Sequence, residues 1–270
     1  MKKFDNTCLQ CLQQCPRKYQ YRQVEGLVSF YEKMTPLTFG QAIHKGLEVL
    51  YLSQSLNTCL QAFEEDYRKL QIYDTKRTLE NGKKMLETYY QLYFPEYFEV
   101  LQVEQMVERE ISKDVVFCGK IDLIGKDKRT DEIFILDHKT SSKMEFTLNP
   151  NHQFTGYLWL VPEATKAYLN MLGVYAPSAK KTKEERFIRV TTARTAADTE
   201  SWYKWVCDLV KRLNEYEQEN YYPMSGQCYG CSYIPLCTCE VDEGKETLKR
   251  NMFKVDRWEP WKKEGEIGIV

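Results

Sequence analysis

The stretch from Gly119 to Lys139, GKIDLIGKDKRTDEIFILDHK, limits the architecture more than any other part of the chain. Two runs rich in Ile, Leu and Phe flank a polar turn, Lys126 to Asp131, which is the pattern of a β-hairpin. A symmetric hairpin centred near Arg129 and Thr130 sets Asp122 directly opposite Asp137, with Cβ atoms roughly 5 Å apart on one face. Opposed carboxylates repel, so a plain sheet loses stability by placing them there. A divalent cation between them removes that cost. The side-chain period of two puts Lys139 on the face of Asp137 and turns His138 away. The apolar run FIL just before Asp137 marks this strand as central, with an unusual polar end.

Hydrophobic periodicity predicts helices over residues 7–24, 37–52, 57–72, 76–93, 150–161 and 198–219, and strands over 99–110, 115–125, 132–139, 166–176 and 185–192. This describes an α/β chain with a central mixed sheet flanked by helices. Residues 1–240 read as one domain with a helical insertion at about 53–98, and 241–270 as a charged extension that Trp258 and Trp261 dock onto the body. Lys plus Arg is 38 and Asp plus Glu 39, a net charge of −1. That excludes a globally basic coat, so any phosphate-binding surface must be local. No apolar run approaches the roughly 20 residues that span a bilayer. The N-terminus has no apolar stretch behind its lysines, and the expected location is cytoplasmic, away from membranes.

The face carrying Asp122, Asp137 and Lys139 suits hydrolysis of a phosphodiester. Hard oxygen ligands hold Mg²⁺ or Mn²⁺. The cation polarises the phosphoryl oxygen and acidifies a water, and the lysine steadies developing negative charge. Taken alone, an Asp-x-Lys at a strand end is usually only a solvated terminus; the opposed Asp122 makes it more specific. Glu108, on the preceding strand, is a candidate further acid.

The ten cysteines fall into scattered and clustered sets. Cys59, Cys118 and Cys207 lie singly in apolar or helical surroundings and read as core thiols. Cys8, Cys11 and Cys15 lie near one terminus, at spacings that place them on one helix face. Cys228, Cys231, Cys237 and Cys239 lie near the other. The segment QCYGCSYIPLC supplies three closely spaced thiols in a Gly- and Pro-containing loop, a set that binds zinc or an iron–sulfur cluster. Cys15, in the context Cys-Pro-Arg-Lys-Tyr, can donate a fourth; plain thiols are the remaining alternative.

Four further motifs occur in order: Gly40-x-x-x-His44, Gly119-x-x-Asp122, Asp137-x-Lys139-Thr140 and Gln153-x-x-x-Tyr157. With the cysteine pattern they make the chain resemble the PD-(D/E)xK nuclease superfamily, and within it the RecB-like branch, over most of its length. Ile121 stands where that branch often has proline. The resemblance implies a restriction-endonuclease-like core and makes His44, Asp122 and Asp137 metal ligands, with the main-chain carbonyl of His138 as a further one. Lys139, Gln153 and Tyr157 complete the site. A lone N-terminal Cys-Pro with a C-terminal triplet resembles the iron–sulfur nucleases of this branch, such as the AddB nuclease domain and the CRISPR-associated adaptation nucleases. By that resemblance Cys15, Cys228, Cys231 and Cys237 ligate a 4Fe–4S cluster that clasps the termini.

The implied activity is that of a Mg²⁺- or Mn²⁺-dependent DNA exonuclease in recombination, repair or replication, working on ends or single strands beside a helicase or recombination partner. A CRISPR-adaptation-type nuclease shares every motif, and a catalytically silent DNA-binding scaffold of the same fold is the nonenzymatic alternative; RNA as substrate is also conceivable. Arg17–Lys18, Lys180–Lys183 and Lys245–Arg250 are the basic clusters. Tyr19, Tyr21, Tyr221 and Tyr222 either stack on unpaired bases or pack around the cysteines.

Overall fold

The computed structural model describes residues 1–31, 35–70, 74–148 and 151–262. In chain order the elements are β1 (Lys2–Phe4), α1 (Asn6–Gln14), α2 (Pro16–Tyr19), a π turn (Gln20–Val24), β2 (Leu27–Ser29), α3 (Thr35–Ser53), α4 (Leu56–Arg68), α5 (Leu79–Tyr93), β3 (Phe98–Ser112), β4 (Val115–Asp127), β5 (Ile133–Ser141), α6 (His152–Leu160), β6 (Ala164–Gly173), α7 (Lys183–Arg186), β7 (Phe187–Ala193), α8 (Ala196–Gln218), α9 (Ile234–Thr238), α10 (Asp242–Met252) and β8 (Phe253–Val255). The expected helix over 57–72 ends earlier, at Arg68, and its residues 71–72, like residue 150 and the tail 263–270, lie outside the described residues.

Two compact units are present. One comprises Met34–Val107 and Lys120–Thr199. In it β4 pairs antiparallel with β5, β5 parallel with β6, and β6 antiparallel with β7, a mixed sheet to which β3 adds beside β4. The parallel β5–β6 pair needs a crossover, and α6 supplies it. Helices α3, α4 and α5 bury Phe39, Ile43, Leu47, Leu50, Phe63 and Leu86 against Leu123, Phe134 and Leu136 of the sheet. Leu136 and Phe134 alternate with the residues of the opposite face, as a strand covered on both sides requires. Ser55 and Thr78 cap α4 and α5 by accepting from Thr58 N and Asn81 N, satisfying amides that have no partner within the helix.

The other unit comprises Met1–Lys33, Glu108–Gly119 and Glu200–Val270. Here β1 pairs parallel with the first residues of β4, and β2 antiparallel with β8. Tyr233 stacks between Tyr21 (centroids 5.6 Å apart) and Phe253 (5.4 Å), and its hydroxyl donates to Leu27 O at 2.6 Å. The described part of the charged extension is structured: α10 leads into β8, and Trp258 Nε1 donates to Asp5 Oδ2 at 2.8 Å.

A second helix differs from expectation. The helix over 7–24 breaks at Cys15, which is extended at φ −163°, ψ 110°. A proline disfavours helical geometry in the residue before it, and Pro16 follows. Cys8 and Cys11 bury with Leu9 and Leu12 of α1, while Cys15, outside that helix, is only half-buried. None of the ten cysteines forms a disulfide.

Candidate active site

The β4–β5 pairing runs from Lys126 opposite Ile133 to Leu123 opposite Leu136. Continued by one residue, that register sets Asp122 against Asp137. There the ladder gives way to a side chain: the next amide, His138 N–H, donates to Asp122 Oδ2 at 2.7 Å. Both carboxylates are buried, Asp137 at 2% exposure.

His44 comes from the middle of α3, its Nδ1 3.4 Å from Asp122 Oδ2 and 3.9 Å from Glu104 Oε1. One ligand atom each from His44, Glu104 and Asp122 lie within 4.8 Å of one another. Burial disfavours a charged His44, but the Asp122 carboxylate and then the Glu104 hydrogen bond outweigh it and push the ring up to about 10. Burial likewise opposes the charged form of Asp122, yet His44, His138 and Lys139 hold it well below the usual carboxylate range. Asp137 is the opposite case. Burial, then the neighbouring Asp122 charge, raise it to about 6 against the pull of Lys139.

Lys139 Nζ is 3.1 Å from Asp137 Oδ1 and 3.0 Å from Oδ2. Asp137 Oδ1 also accepts from Gln153 Nε2 at 3.1 Å. Its Oδ2 is buried without a hydrogen bond of good geometry, despite the nearby ammonium. Gln153 Nε2 reaches Tyr157 Oη at 3.1 Å, one turn along α6, and Tyr157 Oη donates to Lys120 O at 3.0 Å. The two motif residues on α6 thus tie β5 to β4 beside the carboxylates. Asn151 caps α6 by accepting from Phe154 N at 3.2 Å, which settles where its first turn stands. Gly40 brings α3 close to β5: a Cβ there would stand 3.0 Å from Thr140 Oγ1.

The acidic neighbour on β3 is Glu104. Glu108, the residue singled out in the sequence, binds Lys3 at 2.6 and 2.8 Å in the other unit. Glu104 has φ +51° within a strand, a left-handed residue that breaks simple alternation and re-aims its side chain. Nothing in the local sequence marks that break, since no glycine or asparagine occupies it. Glu104 also pairs with Lys120 at 2.6 Å.

These residues fit a divalent cation. Two buried carboxylates, an adjacent Glu and His, and a buried carboxylate oxygen lacking a good hydrogen bond form a hard, mostly oxygen donor set. His138 offers its main chain here, while its ring lies against Tyr51 and Tyr89.

The predicted cysteine ligands all lie in the other unit. Burial opposes the charged form of Cys15, but the polar groups of Lys18, Ser225 and Arg17 beside it outweigh burial and hold the thiol below its ordinary value. Cys237 is raised by burial and by the charges of Cys231, Cys15 and Cys228, against Arg17. Among the described residues the group of possible ligand atoms within 4.8 Å of one another is that of His44, Glu104 and Asp122, and the cysteines form no such group. Cys8 is driven far up by burial and Cys11 to about 11, the state of structural thiols. Tyr19, Tyr21 and Tyr222 are buried and so are packing residues; Tyr221 is exposed.

A model of the PD-(D/E)XK nuclease superfamily matches residues 6–238. The chain belongs to that superfamily, and its mixed sheet flanked by helices is of the restriction-endonuclease-like kind. Among solved structures, a putative exonuclease from Eubacterium rectale is similar at 14% identity over 85% of this chain and 87% of that one, with a TM-score of 0.47. An alkaline exonuclease from Laribacter hongkongensis is similar at 9% identity over 66% and 91%, TM-score 0.35. A phage-related exonuclease from Haemophilus somnus is similar at 14% identity over 66% and 94%, TM-score 0.34. No curated protein matches the chain in sequence. Among the described residues no helix is long and apolar enough to cross a membrane.

Proposed function

We propose that the chain is a Mg²⁺- or Mn²⁺-dependent deoxyribonuclease that degrades DNA from ends or along single strands, in recombination, repair or replication. The observation that carries this reading is the convergence of His44, Glu104 and Asp122 within 4.8 Å, beside the buried Asp137 and the Lys139 ammonium. His44, Asp122, Asp137 and the His138 carbonyl, with Glu104, would hold the cation. When bound, it polarises the scissile phosphodiester and acidifies a water.

The chain's own residues do the rest. Asp137 and Asp122 draw Lys139 upward against burial, so it acts as a cation, steadying charge on the phosphorane and orienting the attacking water. Gln153 keeps Asp137 in place through its 3.1 Å bond, and Tyr157 anchors Gln153. The net charge of −1 favours a narrow local path for one strand over broad coating of a duplex.

Cys15, Cys228, Cys231 and Cys237 carry a 4Fe–4S cluster in this reading. Hydrolysis needs no electrons, so the cluster's role is structural. A cytoplasmic location and work beside a helicase or recombination partner accord with it.

The test is cleavage of end-labelled single- and double-stranded DNA by anaerobically purified protein, with Mn²⁺ or EDTA, beside Lys139→Ala. Metal-dependent loss of label that disappears in the variant supports the reading, and the label pattern gives the polarity. No cleavage of any DNA by iron-replete protein would turn the reading to a binding scaffold. Stoichiometric zinc without iron would overturn the cluster assignment.

A further inference from the structure

Behind the metal-binding face lies a buried polar network that none of the motif residues except His138 enters. Its centre is Arg189 of β7, which donates Nη1 to Glu96 Oε2 at 3.0 Å and Nη2 to Glu96 Oε1 at 2.8 Å, a bidentate pair with little exposure on either side. Nη2 also donates to Tyr89 Oη at 3.1 Å, and Nε lies 3.4 Å from Asn170 Oδ1. Asn170, fully buried on β6, places Nδ2 at 2.8 Å from Tyr89 Oη and 3.0 Å from His138 Nδ1.

The proton directions follow from chemistry. A guanidinium only donates, so the atom of Asn170 that faces it must be the carbonyl oxygen. Both amide N–H groups of Asn170 then point the other way, to Tyr89 and His138. His138 Nδ1 must accept, so the ring proton sits on Nε2. Tyr89 Oη accepts twice and passes its own proton to Tyr51, which donates to Glu96 Oε1 at 2.9 Å. The Arg189–Glu96 pair is neutral in sum, so it brings no net cation beneath the carboxylates.

We propose that Asn170 and Arg189 are positioning residues of the active site. They lock the ring of His138 in one orientation and one tautomer. That lock holds the His138 amide against Asp122 Oδ2 and keeps Asp122 and Asp137 at the spacing a divalent cation needs. Groups that orient a metal's ligands typically change metal affinity 10–100-fold when removed. The inference rests on the metal-dependent nuclease reading.

The test measures Mn²⁺ binding directly, by electron paramagnetic resonance of free Mn²⁺, alongside DNA cleavage and thermal melting. Wild-type protein is compared with Asn170→Ala and with the double variant Arg189→Met, Glu96→Leu, which removes both buried charges together. The expected result is Mn²⁺ affinity lowered roughly 10–100-fold in both without loss of the folded state. A folded Asn170→Ala that binds Mn²⁺ as tightly as wild type would overturn the proposal while leaving the nuclease reading intact. Wild-type protein that neither binds Mn²⁺ nor cleaves DNA overturns both.

A second readout needs no variant. The chain has 3 histidines, so ¹⁵N-imidazole spectra of the wild type resolve the His138 tautomer. A proton on Nε2 is the expected result; a proton on Nδ1 would sink the proposal even if every variant failed to fold.

Discussion

At the residue scale the site gathers charges that would repel or strand one another without a ligand or a partner. Glu104 is the instructive member. Its carboxylate serves both His44 and Lys120, and its left-handed backbone is tolerable only where the surroundings over-determine it. Glu104→Gln keeps the shape but removes a charge from the donor set. The expected outcome is weaker Mg²⁺ binding, with half-maximal cleavage shifted about tenfold to higher Mg²⁺, read from a metal titration of activity. The buried ion pair makes a separate prediction. Arg189→Met alone strands Glu96 among aromatic rings and should cost about 3–5 kcal/mol in urea denaturation. Adding Glu96→Leu should recover much of that, because no uncompensated charge is then buried.

At the element scale, helix packing decides where His44 stands. Helix α3 lies against α4 and α5, and its Gly40 passes close to Thr140. Gly82 on α5 makes a similar close approach: a Cβ there would fall 2.1 Å from Phe63 Cζ, a fully buried ring. Gly82→Ala gains about 1 kcal/mol of helix propensity but meets an overpacking cost of about 1–3 kcal/mol. The clash is with a ring that has no open side, so net destabilisation is expected, measured as a lower denaturation midpoint. Phe63→Ala should remove about 3–5 kcal/mol by leaving a cavity. The single predicted helix over 7–24 belongs to this scale too. Its periodicity is helical, but Pro16 denies Cys15 the helical conformation, and the helix divides there into α1 and α2.

At the scale of the whole molecule, each unit has its own core and its own chemistry. The candidate metal site of His44, Glu104 and Asp122 belongs to one, the four predicted cluster cysteines to the other. If those cysteines bind a cluster, Cys231→Ser should lose iron and melt lower in the same preparation, because binding energy of that kind is folding energy. Iron content and melting temperature measured together check it; an iron-free variant of unchanged stability would refute the cluster's structural role. The extension contributes here as well, since β8 pairs with β2 and carries Phe253 into the core beside Tyr233.

Much of this was legible from sequence because it is local. Alternation predicted β4 and β5, and the turn residues set a register in which Asp122 faces Asp137. Helical spacing put Gln153 and Tyr157 on one side of α6. What sequence could not give is equally physical. Glu104 in place of Glu108 depends on one left-handed residue inside a strand that no residue type announces. Arg189, Glu96, Tyr89 and Asn170 are far apart in the chain, and each is ordinary in its own segment; only the packing of β6, β7 and α5 makes them a single buried network. Periodicity and spacing determined which residues share a face. The tertiary structure decided which faces meet, because that depends on long-range contacts whose partners carry no local signal.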